Sequence, residues 1–328
     1  MSLIETKGAA SAQGFGLFAR PKGCCLNDGN KGIFALGCTA SGNSTVRNKY
    51  TYASCASTAC GVGAASSASS GGSAAGNNTR GIFALGQNNC GRSTIRNKFT
   101  YAGCTSTASG VGAASAASRF GSAAGNNTRG IFALGNDSPC CGRTTTRNKY
   151  TYASCASTSS GVGAATCATA RGSAVGNSTV GFFALGFASS RTSSRDKYTY
   201  ASCTSVSFGT GATAASAQGS AAGNSTRGIF ALGNTACGRV TTRNKFTYAT
   251  EANTACGVGA ASVASQWGSA AGNSTRGIFS LGCTASGRST TRNKYTYACC
   301  TSTASGVGAA SDASYFQSAA SWATCVNT

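Results

Sequence analysis

The run Gly-Ile-Phe-Ala-Leu-Gly at residues 32–37 returns, with small changes, at 81–86, 130–135, 181–186, 228–233 and 277–282. Its starts lie 49, 49, 51, 47 and 49 residues apart. The fourth copy has Phe182 where the others have Ile, and the sixth has Ser280 for Ala, so the alternation of bulk survives while single residues drift. A period near 49 marks a repeat architecture, in which each unit buries its apolar face only against its neighbours. For 328 residues the usual expectation is two domains, and the repeat replaces it with one ring or one array.

Each unit has four parts. After the hexapeptide comes a run such as Arg147-Asn148-Lys149-Tyr150-Thr151-Tyr152-Ala153, then Gly-Val-Gly-Ala-Ala-Ser, then Gly-Ser-Ala-Ala-Gly leading into Asn-Ser-Thr-Arg. In Lys49-Tyr50-Thr51-Tyr52 both tyrosines fall on one face, the period-2 alternation of a half-buried strand. The hexapeptide alternates with both faces apolar, as an inner strand covered on two sides does. Gly-Val-Gly-Ala-Ala-Ser is a weak strand former that needs its neighbours to become a strand, since Gly and Ala are poor β-formers. A helix over 64–70 is opposed by Gly61, Gly63, Gly71 and Gly72 around it. Gly76-Asn77-Asn78-Thr79 and its copies read as turns, because Asn tolerates positive φ and caps its own backbone. The same asparagines lie in Asn-x-Ser/Thr sequons, for which the turn explanation is preferred over glycosylation.

Gly accounts for 46 residues and Pro for only 2, which excludes a collagen-like or Pro-rich chain. Much of the apolar content is Ala and the bulk comes from Phe and Tyr, so thin sheets must pack through small residues with aromatic rings in the gaps. Short strands repeated six times predict an all-β chain, a β-propeller of six blades of about 49 residues, whose closure protects the sheet edges. Seven blades or a linear β-solenoid are the alternatives. The Gly-Ala-Ala-Ser element occurs seven times, first at 8–11 and last at 308–311, while the hexapeptide and the tyrosine run occur six times. We therefore divide the chain into an N-terminal arm and partial repeat over 1–30, a candidate for closing the ring, and six repeats over 31–328. One terminal segment is expected to complete a sheet and the other to remain an arm.

The charge is one-sided, with 27 Lys and Arg against six acids and a formal net charge of +21. Such a surface attracts anions: nucleic acid, anionic polysaccharide, lipopolysaccharide or an acidic neighbouring protein. Nucleic acid is the weakest of these, because no two basic residues are adjacent. The arginines Arg47, Arg96, Arg147, Arg195, Arg243 and Arg292 open the tyrosine strand, and Lys49, Lys98, Lys149, Lys197, Lys245 and Lys294 follow two residues later. In a propeller equal slots become rings, so these twelve are the candidate binding residues. Arg80, Arg129, Arg227 and Arg276 form a second set before the hexapeptide, and Arg92, Arg143, Arg191, Arg239 and Arg288 a third in the loop between strands. Structural hydrogen bonding between blades is the competing use of these side chains.

The units, with Thr-Arg-Gly-Ile-Phe, then Thr-Thr-Arg-Asn-Lys-Tyr-Thr-Tyr-Ala-Ser, then a small-residue run, resemble the degenerate Kelch-like propeller repeats of bacterial, cyanobacterial and bacteriophage proteins. The likeness spans roughly residues 8–320. Ala35-Leu36-Gly37 stands in place of the Kelch Gly-Gly doublet, and Trp267 and Trp322 lie outside the repeat frame. The resemblance implies a virion or tail component, made in a host cytoplasm, that binds neighbouring subunits or a cell surface.

The chain has no His, which removes the commonest general base and zinc ligand. No acid recurs at a fixed slot, and an enzymatic reading would need a site built from departures such as Asp196, Glu251 and Trp267. We expect a non-enzyme with neither cofactor nor metal. A lectin-like protein, cytoplasmic or at a cell surface, with one Tyr and Arg site per unit, is the alternative. Eighteen cysteines suggest an oxidising compartment. The N-terminal residues carry no apolar signal core and no run is apolar enough to span a bilayer, so neither conventional export nor membrane insertion is expected. Cys55 with Cys60 and Cys237 with Cys256 are candidate disulfides; other units carry Ser at such slots, as Ser109 and Ser160 do against Cys60, so small apolar filling is the plainer reading for most of the cysteines. The Cys-Cys pairs lack metal-site spacing.

Overall fold

The computed structural model describes residues 31–137, 142–184, 186–208, 211–255 and 257–321. The arm and partial repeat assigned to 1–30, and Cys256, lie outside the described residues. The described chain is all-β, and no helix in it is long and apolar enough to cross a membrane.

Six four-stranded antiparallel sheets repeat one plan. In the second sheet the order is Ser73–Gly76, Arg80–Ala84, Arg96–Thr100 and Thr105–Thr107, each strand beside its sequence neighbour. The hexapeptide thus sits between two strands, and its apolar residues are buried on both faces, as its double-sided pattern predicts. The first sheet is built from both ends of the described chain. Ser318–Ser321 pairs with Lys31–Ala35, placing Ala320 opposite Ile33, and Arg47–Thr51 and Ala56–Thr58 follow. First strands of successive sheets pack on one another, and Ser318–Ser321 touches both Ser269–Gly272 and Ser73–Gly76. The arrangement is propeller-like.

One expectation is corrected. Gly-Val-Gly-Ala-Ala-Ser is not a strand but an irregular crossing segment that lies against the next sheet. Gly63 donates from its amide to the Cys104 carbonyl at 2.7 Å, and Gly112 to that of Cys155 at 2.8 Å. A Cβ on Gly63 would stand 2.7 Å from the Ser106 amide, so the glycine is required by backbone approach. The first strand of each sheet is instead the Gly-Ser-Ala-Ala-Gly run, which the sequence places only as a lead into a turn.

The core lies between sheets rather than within them. Ala75 and Ile82 of the second sheet pack with Phe132, Tyr150 and Tyr152 of the third. Ala271 and Ile278 of the sixth pack in the same way with Phe34, Tyr50 and Tyr52 of the first. Each Ile and Phe of these clusters contributes about 1.5–3 kcal/mol by leaving water. The two glycines of the hexapeptide have different reasons. Gly81 is approached by the Tyr101 hydroxyl and the Ala320 methyl, while Gly86 adopts φ +76 with no room beside the Ser70 carbonyl. The sequon asparagines are turn formers: Asn77 Oδ1 accepts from the amides of Thr79 and Arg80, each at 3.0 Å. The Asn77 side-chain amide donates across to the carbonyl of Asn127 in the next unit at 2.9 Å.

Candidate functional site

The arginines that the sequence offers as a binding ring are internal. Arg47, Arg96, Arg147, Arg195, Arg243 and Arg292 are 0–1% exposed. Each lies against the next sheet. Arg96 donates to the carbonyl of Ala113 at 3.1 Å, to Asn148 Oδ1 at 3.0 Å and to Ser157 Oγ, with its guanidinium 4.6 Å from the Phe132 ring centre. The series ends with Arg292 of the sixth sheet donating to Asn48 of the first at 3.1 Å. Burial lowers the pKa of Arg47, Arg96, Arg195, Arg243 and Arg292 to about 10, which still leaves them charged at neutrality. Arg147 has a carboxylate partner, Asp196, at 2.8 Å with both side chains fully enclosed. These six residues hold sheets together and are closed to a docking partner.

The companion lysines are less enclosed. Lys49 is buried, and Lys98, Lys149, Lys197, Lys245 and Lys294 are half-buried. Lys197 pairs with Glu251, the residue that occupies a slot held elsewhere by Cys. The second arginine set is also committed to seams, with Arg80 donating to the Tyr152 carbonyl at 2.9 Å and reaching Cys155 Sγ at 3.5 Å. Cys55 and Cys60 are free thiols, so the Cys55–Cys60 pairing is not formed; Cys237 is a free thiol too, and its candidate partner Cys256 lies outside the described residues. A lectin site made of each unit's Tyr and strand-opening Arg has no opening to solvent, since both side chains are enclosed. Asp196, Glu251 and Trp267 are held in three separate sets of contacts: Asp196 by Arg147 and Thr166, Glu251 by Lys197, and Trp267 by Tyr315 and Phe316.

A different surface gathers accessible charge. Gly71, Phe120, Arg171, Gln218, Trp267 and Phe316 occupy one slot of the repeat, and all have φ between 55° and 65°. Their backbones form a closed circle. Phe120 donates to Gly71, Arg171 to Phe120, Gln218 to Arg171, Trp267 to Gln218, Phe316 to Trp267 and Gly71 to Phe316, over 2.6–2.9 Å. Side chains of this slot and the glycines after it line a hollow of about 60 Å³, against about 10 Å³ for each hollow between neighbouring sheets. The slot is also where the repeat breaks its own symmetry. Trp267 meets Phe316 with ring centres 4.7 Å apart, and Phe316 meets Phe120 at 4.9 Å across the side-chain-free Gly71.

Residues just before this slot pair with the hairpin of the same or following unit. Ser70 bridges to Gln87, Arg119 to Asn136, Ala170 to Phe187, Ala217 to Asn234, Gln266 to Cys283 and Tyr315 to Cys38. The hairpins carry the third arginine set to the rim. Arg143, Arg239 and Arg288 are exposed, and Arg92 and Arg191 half-buried. Arg119 and Arg171 join them from the mouth. Among the described residues the hairpins hold one acid, Asp137, and it forms no ion pair. The sequence signal for this face was the slot preceding Gly-Ser, where residue type changes in almost every copy while its flanks repeat.

No family model and no curated protein matches the chain. The functional reading therefore rests on the geometry of the mouth and its rim.

Proposed function

We propose that the chain is a closed, six-bladed β-propeller of the degenerate Kelch-like kind that acts without catalysis, docking on an anionic cell-surface glycan through its arginine-rimmed mouth. The observation that carries the functional reading is the gathering of Arg92, Arg119, Arg143, Arg171, Arg191, Arg239 and Arg288 around an aromatic mouth with a single acid on the hairpins. Polyanions are drawn to such a surface by long-range attraction that salt screens, and sugar rings pack on aromatic faces. Closure is supported by the pairing of Ser318–Ser321 with Lys31–Ala35 and by the hydrogen bond from Gly308 to the Cys55 carbonyl at 2.7 Å. In a phage particle this module would serve host attachment, with lipopolysaccharide as a fitting target.

The test is retention of the purified chain on immobilised polysaccharides across a salt series. Anionic polysaccharide should retain it at low salt and release it as salt rises, and the double variant Arg239→Gln/Arg288→Gln should elute earlier. Equal retention on a neutral polysaccharide, or indifference to the double variant, would refute the reading. Retention on an acidic protein surface but on no polysaccharide would move the docking partner to a neighbouring subunit.

A further inference from the structure

Three arginines at the mouth are placed in a way that the sixfold repeat does not require. Asn136 bridges to Arg119 on one side and to Arg143 on the other, which sets those two residues on flanking strands in the same register. Arg171 comes from the adjoining position of the hydrogen-bonded circle, where its amide donates to the Phe120 carbonyl at 2.8 Å. Two phenylalanine rings tie the three together. The guanidinium carbons of Arg119 and Arg171 lie 4.8 and 5.3 Å from the Phe120 ring centre, and those of Arg143 and Arg171 lie 4.9 and 5.8 Å from that of Phe187.

Among the described residues no carboxylate forms an ion pair with this cluster. Among the described residues the ion pairs are Arg147 with Asp196 and Lys197 with Glu251; Asp137, next to Asn136 on the hairpin that carries Arg143, joins neither, and its amide donates to the Gly142 carbonyl at 3.2 Å. Arg119 donates one nitrogen to Gln87 Oε1, but its Nε is enclosed with no acceptor. Arg171 titrates below its ordinary value, first because it is partly buried and then because Arg119 and Arg143 repel it. Like charges gathered around shared rings carry an energetic cost that an anion between them removes.

We propose that Arg119, Arg143 and Arg171 form one discrete pocket for an oxyanion, the carboxylate, sulfate or phosphate group of an acidic sugar. Guanidinium forks match such groups with paired charge-assisted hydrogen bonds, and Lys would not substitute at this geometry. Phe120 continues through Phe316 to Trp267, so the pocket adjoins an aromatic arc on which the carrier sugar can lie. The pocket rests on the reading of this face as an anion-docking surface and adds to it a stoichiometry: one site per chain rather than one per repeat.

Isothermal titration with inorganic phosphate, with a uronic disaccharide and with its neutral counterpart tests this. Phosphate and the uronic sugar should each bind once per chain, and the neutral sugar should not. Tighter binding of the uronic sugar identifies a glycan-borne anion, and equal binding identifies the free anion; either supports the pocket. Arg171→Gln should weaken binding by roughly 10- to 100-fold, the worth of a lost charge-assisted pair. Gln already occupies the equivalent position at Gln218 with φ 65°, against 61° at Arg171, so this variant keeps the circle intact. Lys294→Gln, in the half-buried lysine slot of the tyrosine strand and outside the rim, should change binding by less than about threefold. Absence of saturable binding, or equal losses in the two variants, overturns the pocket. Retention on anionic polysaccharide without a phosphate site would overturn the pocket alone, and a phosphate site without such retention would overturn the docking reading alone.

Discussion

Replacing Arg96 by Ala tests whether the buried arginines hold the sheets together. The side chain is 1% exposed, and its removal strands the Ala113 carbonyl, Ser157 Oγ and the face of Phe132, and leaves Asn148 Oδ1 with the Ser115 amide alone. Hydrogen bonds to a charged group are worth about 1.5–3 kcal/mol each, and the ring contact about 1–2. Against this stands the several-kcal/mol cost of keeping an arginine charge out of water, which the variant no longer bears. Removing one member of a buried charged network and leaving its partners unmet typically costs about 3–5 kcal/mol, and that is the loss expected here. Urea unfolding followed by circular dichroism reads it as a fall in midpoint at unchanged slope. Arg288→Ala, on the exposed rim, serves as the control and should stay within about 0.5 kcal/mol. A loss below about 1 kcal/mol for Arg96→Ala would mean that apolar packing alone joins the sheets.

Other outcomes follow from particular contacts. Asp196→Asn restores the residue that five other units carry, and Thr166, which donates its hydroxyl to Asp196 at 2.5 Å, can turn to accept from the amide; urea unfolding should shift by less than about 1 kcal/mol. Gly86→Ala puts a methyl 2.5 Å from the Ser70 carbonyl at φ +76 and should cost about 3 kcal/mol, whereas Gly91→Ala meets nothing within 4 Å at φ +118 and should cost about 1–2, as denaturation midpoints will show. Burial raises the pKa of Tyr50, Tyr101, Tyr150, Tyr152, Tyr198, Tyr295 and Tyr297, so these phenols stay neutral in the fold. Their contribution to stability is complete below the unfolded value of about 10 and declines as pH rises beyond it. Phenolate absorbance should accordingly appear in one step together with loss of sheet signal; gradual ionisation in a chain that remains folded would contradict their enclosure.

The repeat, the two central strands of each sheet and the Asn turns were legible because each is written in local pattern: hexapeptide glycines, alternating tyrosines, Asn-x-Thr. What the sequence hid was partnership across units. Gly-Ser-Ala-Ala-Gly has no bulk to mark it as a strand, yet it lines the inside, where only small residues fit beside the aromatic rings of the next sheet. Its last copy, Ser318–Ser321, has lost both glycines and completes the first sheet from the other end of the chain. The buried arginines were misplaced for a related reason. In Arg-Asn-Lys-Tyr the strand alternation sets Arg and Lys on one face, but only the neighbouring sheet's Asn, Ser and carbonyls reveal that the Arg is enclosed while most of the lysines remain half-open. The mouth was faintest of all, since its slot shows only as variation between otherwise equal units.

Hydrogen exchange at the amides of Ser318–Ser321, compared with those of Ser122–Gly125, tests the proposed closure of the ring. Each segment is the first strand of its sheet and pairs in the same register with the next. A closed ring should give comparable protection, within about tenfold, for the two segments. Exchange of Ser318–Ser321 at the rate of an unfolded chain, with Ser122–Gly125 still protected, would show an open array and would remove the hydrogen-bonded circle around the mouth.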